Sequence, residues 1–161
     1  TAHRSLEAAA KVFEKRGIAP VILGDTITGE AAEVAKVMAA LVREVRTYKA
    51  PFSPPVALIS GGECTVTIKG EGGRGGRCSE FLLSLGMEAP DLWAIAADTD
   101  GIDGSEDNAG AVWSPGLANR PGAIEALDRH DSYGFFEAAG TLVVTGPTRT
   151  NVNDYRAILI P

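Results

Sequence analysis

Soft metal ligands are scarce in this chain. It has two cysteines and two histidines among 161 residues. Cys64 and Cys78 lack a metal-ligand spacing, and two cysteines are a poor framework for stapling a chain of this length. That argues against a zinc module and a disulfide scaffold, and the thiols read as reduced, in a cytoplasmic protein. His3 and His130 lie far from every polar cluster and read as surface residues. No Ser-His-Asp or Cys-His spacing is present. No apolar run approaches the roughly twenty residues of a membrane span, and no signal-peptide pattern opens the chain. Positive charge is also short: 15 Lys and Arg face 21 Asp and Glu, a formal net charge of −6. The basic residues are scattered, apart from Arg74 and Arg77. This argues against a nucleic-acid partner held through phosphates. Aromatic residues are only 6%.

What the chain does have is glycine, 19 residues of it, which suits a protein built around backbone-lined loops. The length suffices for one domain with a sizeable core, or for one domain and a piece of another. The sequence opens on Thr1 and runs almost at once into helix, as a fragment of a longer protein would.

Apolar periodicity predicts helices over 5–16 and 29–48, the second with Thr28 as N-cap, and shorter helices over 79–87, 123–129 and 134–139. Strands are expected at 20–23, 56–60, 92–97, 142–144 and 156–160, with a strand or helical turn at 109–113. Gly24-Asp25-Thr26 reads as a turn. The alternating run 63–69 after Gly61-Gly62 reads as the second arm of a β-hairpin. Three prolines within 51–55 mark a linker and the expected domain boundary, dividing the chain into 1–50 and 51–161. The fold class is α/β, a mixed sheet flanked by helices.

Three loops carry candidate chemistry. Asp98-Thr99-Asp100-Gly101-Ile102-Asp103-Gly104 follows an apolar strand, and ligands sit at the carboxyl ends of strands in α/β sheets. Crowded carboxylates there read as a Mg²⁺ or proton-handling site, or as a solvated acidic turn. The spacing does not fit an EF-hand, which needs Gly where Asp103 stands. Gly70-Glu71-Gly72-Gly73-Arg74-Gly75 fits G-x-G-x-x-G between a strand and a helix. With Arg74 and Arg77 beside freed backbone amides, it reads as a cradle for phosphate or carboxylate, or as a structural bend, or as a dinucleotide site. No Gly-Lys-Ser/Thr follows, so it is not a Walker A loop. The loop 145–154 is rich in Thr, Asn and Asp. It can hydrogen-bond a small hydroxy acid, or merely cap its own backbone. Glu63 at the hairpin tip accepts from a substrate hydroxyl or is a turn residue. Cys78 begins a helix but has no base nearby in sequence.

Ser60-Gly61-Gly62-Glu63, Gly72 to Arg77, Asp98 to Gly104, Thr145-Gly146-Pro147-Thr148 and Asn151-Val152-Asn153-Asp154 occur in the order found in the MOFRL-type, class II glycerate 2-kinases. Members of that family have long been named hydroxypyruvate reductases. The chain resembles its C-terminal domain from Val56 to Pro161, and residues 1 to about 50 resemble the segment before it. The resemblance implies a two-domain enzyme with its site in the interdomain cleft. It implies transfer of the ATP γ-phosphoryl group to the 2-hydroxyl of D-glycerate with Mg²⁺, and an N-terminal domain that bears a basic active-site residue and is absent here.

On that resemblance Arg74 and Arg77 hold phosphate or the glycerate carboxylate. Asp98, Asp100 or Asp103 hold Mg²⁺, or one of them accepts the hydroxyl proton. Gly61, Gly62, Glu63, Gly75, Gly76, Thr145, Gly146, Thr148, Asn151 and Asn153 bind substrate. One departure is Cys78, where the family has Asn. The competing readings are an NAD(P)-dependent hydroxypyruvate reductase and a non-catalytic small-anion module.

Overall fold

The structure is a computed structural model that describes all 161 residues. Six strands form one mixed sheet in the order β1-β2-β6-β3-β4-β5. They are β1 (Ala19–Glu30), β2 (Val56–Thr65), β3 (Trp93–Asp98), β4 (Gly110–Trp113), β5 (Leu142–Val143) and β6 (Asp154–Ile160). Only β1 and β2 run parallel; every other neighbouring pair is antiparallel. The helices are α1 (Ala2–Glu14), α2 (Ala31–Tyr48), α3 (Arg77–Glu88), α4 (Ala123–Asp128) and α5 (Ser132–Ala139). No helix is long and apolar enough to cross a membrane.

Strand period 2 builds three layers. Ala57, Ile59 and Ala157 face Leu6 and Ala10 of α1. The alternate residues Val56, Leu58, Ile158 and Ile160 face the main core with α2 and α3. Helix α2 offers Ala31, Ala35, Met38, Ala39, Val42 and Val45 as one buried stripe, the i, i+4, i+7 pattern expected from its sequence. Helix α3 is buried without a break from Cys78 to Gly86, because it is wedged among α2, the sheet and the α4–α5 pair. Close packing there is strict: a Cβ at Gly86 would overlap the Trp113 ring.

Two expectations about the first strands fail. Gly61-Gly62 is not a hairpin turn but the middle of a continuous β2. Gly24-Asp25-Thr26 is not a turn but part of β1, with register shifts between Ile22 and Gly24 and between Gly24 and Ile27. Gly61-Gly62 marks close approach of backbone, whereas Gly24, with φ at +147, lies at a register shift and a Cβ there would meet nothing within 4 Å. A Cβ at Gly62, where φ is +105, would overlap the backbone of Ile27, and β1 bulges to make that approach. Helix α2 accordingly starts at Ala31, and Thr28 is not its N-cap. Thr28 Oγ1 instead donates to the Glu63 carbonyl at 2.8 Å. The segment 49–55 links α2 to β2. The strand contributed by the first fifty residues lies within the same sheet as the rest.

Candidate functional site

Three neighbouring strands deliver the site to one edge of the sheet. In the β2–β6–β3 register, Gly62 lies opposite Asp154, and Asp154 lies opposite Asp98. The carboxyl ends of β2 and β3 therefore meet the start of β6. Beneath this rung, α3 begins with Arg77. Its Nε donates to Asp154 Oδ1 at 2.8 Å and its Nη2 to Asp98 Oδ2 at 2.5 Å. Glu63 Oε1 lies 3.3 Å from the same Nη2. Nη1 has no partner in the chain, on a side chain 25% exposed. Asp98 and Asp154 by contrast are buried.

Behind Asp154 stands a second arginine. Arg156 is enclosed and packs over Phe81. Its Nη1 lies 3.4 Å from Asp154 Oδ2, and its Nη2 donates to the carbonyls of Gly61 and Ile27.

These placements set the charges. Burial pushes the Asp98 carboxyl up to about 6, against the pull of the Asp100 amide and the Arg77 guanidinium. Burial opposes the charge on Arg77, yet Asp154 and then Asp98 raise its pKa above the ordinary arginine value. Burial pushes the thiols of Cys64 and Cys78 up, so neither is a ready nucleophile.

The loops 98–104 and 145–153 are stitched together. Thr148 N donates to the Asp100 carbonyl at 3.0 Å, and Thr99 N to the Asn153 carbonyl at 3.1 Å. Thr148 Oγ1 donates to the Thr99 carbonyl. A Cβ at Gly101 would overlap the Gly146 carbonyl. Beside them opens a cavity of about 320 Å³, with Gly61, Asp98, Thr99, Thr145 and Thr148 on one side and α1 on the other. That is a size for a small molecule.

The structure thus gathers Gly61, Gly62, Glu63, Arg77, Asp98, Thr145, Gly146, Thr148 and Asn153 around one edge. Asn153 enters only through its carbonyl, and Asn151 only caps it, Oδ1 accepting from Asn153 N at 3.1 Å.

Other candidates go elsewhere. Arg74 lies over the Tyr133 ring, 3.5 Å from Asp131 and 3.6 Å from Glu137. A Cβ at Gly75 or Gly76 would strike Ser132 or Asp103. These glycines permit close packing and leave no cradle. The free amides at the start of α3 already hold an anion, and it is internal. Asp103 accepts from Cys78 N at 2.9 Å, Ser79 N at 2.8 Å and Ser79 Oγ at 2.6 Å. It is fully buried and caps the helix. Burial raises its pKa, against the hydrogen bonds from Ser79 and Cys78.

The carboxylates do not fit a resident Mg²⁺. Asp103 is consumed by the helix cap, Asp100 Oδ1 accepts from Ile102 N at 2.8 Å, and Asp98 is held by Arg77 and by Asp100 N. No three His, Cys, Asp or Glu side chains converge. His130 also departs from its surface reading. Its Nδ1 lies 2.7 Å from Glu80 Oε1, and its Nε2 accepts from Lys69 N at 3.1 Å.

The sequence places Asp154 only as the end of the 145–154 loop and singles out Arg156 not at all. Their signal is two charges at i and i+2 in an otherwise apolar strand, which puts both on one buried face.

The model described as MOFRL family matches residues 56–154, from the first residue of β2 to the aspartate that meets Arg77. The chain belongs to the MOFRL family. Among relatives of this MOFRL chain, a protein of Agrobacterium vitis with the provisional name hydroxypyruvate reductase is 50% identical over 97% of this chain and 38% of its own length. A glycerate 2-kinase of Pyrococcus horikoshii is 40% identical over 92% of this chain and 36% of its own. The crystal structure of a glycerate kinase from Thermotoga maritima superimposes with a TM-score of 0.93 at 31% identity, over 100% of this chain and 41% of that one. The chain therefore spans about two fifths of the length of the relatives it matches.

Proposed function

We propose that this chain is the C-terminal part of a glycerate 2-kinase, which transfers the γ-phosphoryl group of MgATP to the 2-hydroxyl of D-glycerate. The observation that carries this is Arg77. It is clamped by two buried carboxylates, Asp98 and Asp154, which also line the neighbouring cavity, and one of its guanidinium nitrogens is unbonded on a side chain 25% exposed. Phosphoryl transfer asks a protein for positioning and charge neutralisation more than for covalent chemistry. The free Nη1 of Arg77 meets an oxygen of the transferring phosphoryl group. Thr145 and Thr148 line the space for the hydroxy acid. As the glycerate oxygen bonds to phosphorus, the bond from phosphorus to the β–γ bridging oxygen breaks and ADP departs. The hydroxyl proton passes to Asp98, a carboxylate near 6 and suited to general-base work near neutrality. Mg²⁺ enters as part of the nucleotide substrate.

In this reading residues 51–161 form the MOFRL domain and 1–50 the segment leading into it. The remaining three fifths of the relatives' length supplies the opposite wall of the cleft, so the isolated chain is inactive. Two free, buried thiols and a need for ATP favour a cytoplasmic setting. The reductase reading draws no support from the glycine-rich loop, where a Cβ at Gly73 would strike the Arg129 and His130 carbonyls and one at Gly75 the Ser132 hydroxyl. The test is the full-length protein with ATP, Mg²⁺ and D-glycerate. ADP release that requires glycerate supports the kinase; NADH oxidation with hydroxypyruvate and no such ADP release overturns it.

A further inference from the structure

Asp154 and Arg156 form a buried unit behind Arg77 that does not itself touch the reacting groups. Asp154 is 0% exposed at its side chain and Arg156 is 2% exposed. Asp154 divides its oxygens: Oδ1 takes Arg77 Nε at 2.8 Å, while Oδ2 faces Arg156 Nη1 and Cys64 N, each at 3.4 Å. Arg156 is itself immobilised from two neighbouring strands, β1 and β2. Its Nε donates to Ser60 Oγ at 3.3 Å, and its Nη2 to the carbonyls of Gly61 and Ile27. A guanidinium so enclosed cannot reach a substrate, and anything it does for the reaction passes through Asp154.

We propose that Asp154, oriented by Arg156, is a positioning residue that fixes the plane of the Arg77 guanidinium and leaves only Nη1 for an incoming anion. A planar guanidinium pinned at Nε and at Nη2 cannot rotate about its long stem. The rotamer entropy that a free arginine would lose on meeting a phosphoryl oxygen is then lost already on folding. Asp98 alone cannot do this, because one contact at Nη2 leaves the fork free to swivel. Asp154 adds the second. Arg156 Nη1, 3.4 Å from Asp154 Oδ2, holds the Asp154 side chain from behind while its Oδ1 keeps Arg77 Nε. The inference rests on the kinase reading only in taking Arg77 to meet the substrate anion.

The test is Asp154→Asn in the full-length protein, with fold checked by circular dichroism. Two readouts are taken. The first is labelling of Arg77 by phenylglyoxal, mapped by peptide mass. The second is the split between kcat and KM for glycerate phosphorylation. Arg77 labelling should rise. Turnover should fall about ten-fold or more, with KM for glycerate changed less than about three-fold, as for an interaction made in the transition state. Unchanged labelling and unchanged kcat in a folded variant overturn the proposal. Should the variant not fold, the wild-type protein decides through arginine-selective ¹⁵N spectra. A slowly exchanging Nε–H that disappears in Arg77→Lys supports the bracket; a solvent-exchanging one overturns it. Wild-type protein that fails to phosphorylate glycerate defeats the kinase reading, and the labelling arm still judges the bracket by itself.

Discussion

Asp98→Asn should make the fold more stable at neutral pH while abolishing turnover. An ordinary aspartate has a value of 3.8, and burial raises Asp98 to about 6. Because the folded value lies above the free one, folding favours the neutral acid. The contribution is fully favourable to the fold below about pH 4 and is lost as pH rises through 6. Linkage between these two values gives a loss of about 2 kcal/mol from pH 4 to pH 7. Asn mimics the neutral form and has no such loss. With a urea dependence of roughly 2 kcal/mol per molar, the unfolding midpoint of the Asn variant should exceed wild type by about 1 M more at pH 7 than at pH 4. Glu80 and Asp103 also have raised values through burial, but they are common to both proteins and cancel in the difference. The assay is urea denaturation of the 161-residue chain at both pH values, beside turnover of the full-length protein. Turnover should fall roughly 10²-fold or more, the scale for a lost general base. A stability difference that does not change with pH, or one favouring wild type as pH rises, would refute the burial argument.

Other outcomes follow from particular contacts. Arg77→Ala should cost about 10²–10³-fold in kcat, as for removal of one donor to developing charge, measured in the ADP-coupled assay. Arg74→Ala should leave kcat within about two-fold, because that side chain is engaged by Asp131, Glu137 and Tyr133 away from Asp98; exposed pairs of this kind carry little energy. Asp103→Ala should lower stability by about 2 kcal/mol in urea unfolding, through loss of a buried helix cap, without changing the Mg²⁺ dependence of turnover. Gly62→Ala should cost more than about 4 kcal/mol, or prevent folding, since its Cβ meets the Ile27 backbone. A surface hairpin turn would tolerate that change far better.

Helices α1 and α2 are legible because their burial is one-sided. The stripe on α2 reads directly from Ala35, Met38, Val42 and Val45. The parallel pair β1–β2 was not legible. Gly61 and Gly62 serve contact with the irregular backbone of β1, and in sequence that is indistinguishable from a turn. The acidic loop shows the same limit for chemistry. Asp98 and Asp103 look alike in sequence, but one ends a strand beside an arginine and the other closes a helix. Their separate duties depend on where α3 starts, which is a tertiary fact. Arg77 and Asp98 are found from their loops alone, whereas Asp154 needed the strand register that brings it opposite Asp98.

The most direct measurement of the central claim is chemical rescue of Arg77→Ala in the full-length protein by added guanidinium ion. The account predicts a variant nearly inactive toward D-glycerate whose turnover rises with guanidinium and much less with ammonium, since the missing part is a planar fork held between Asp98 and Asp154. Near-normal turnover without the additive would contradict it, as would turnover that no guanidinium concentration restores.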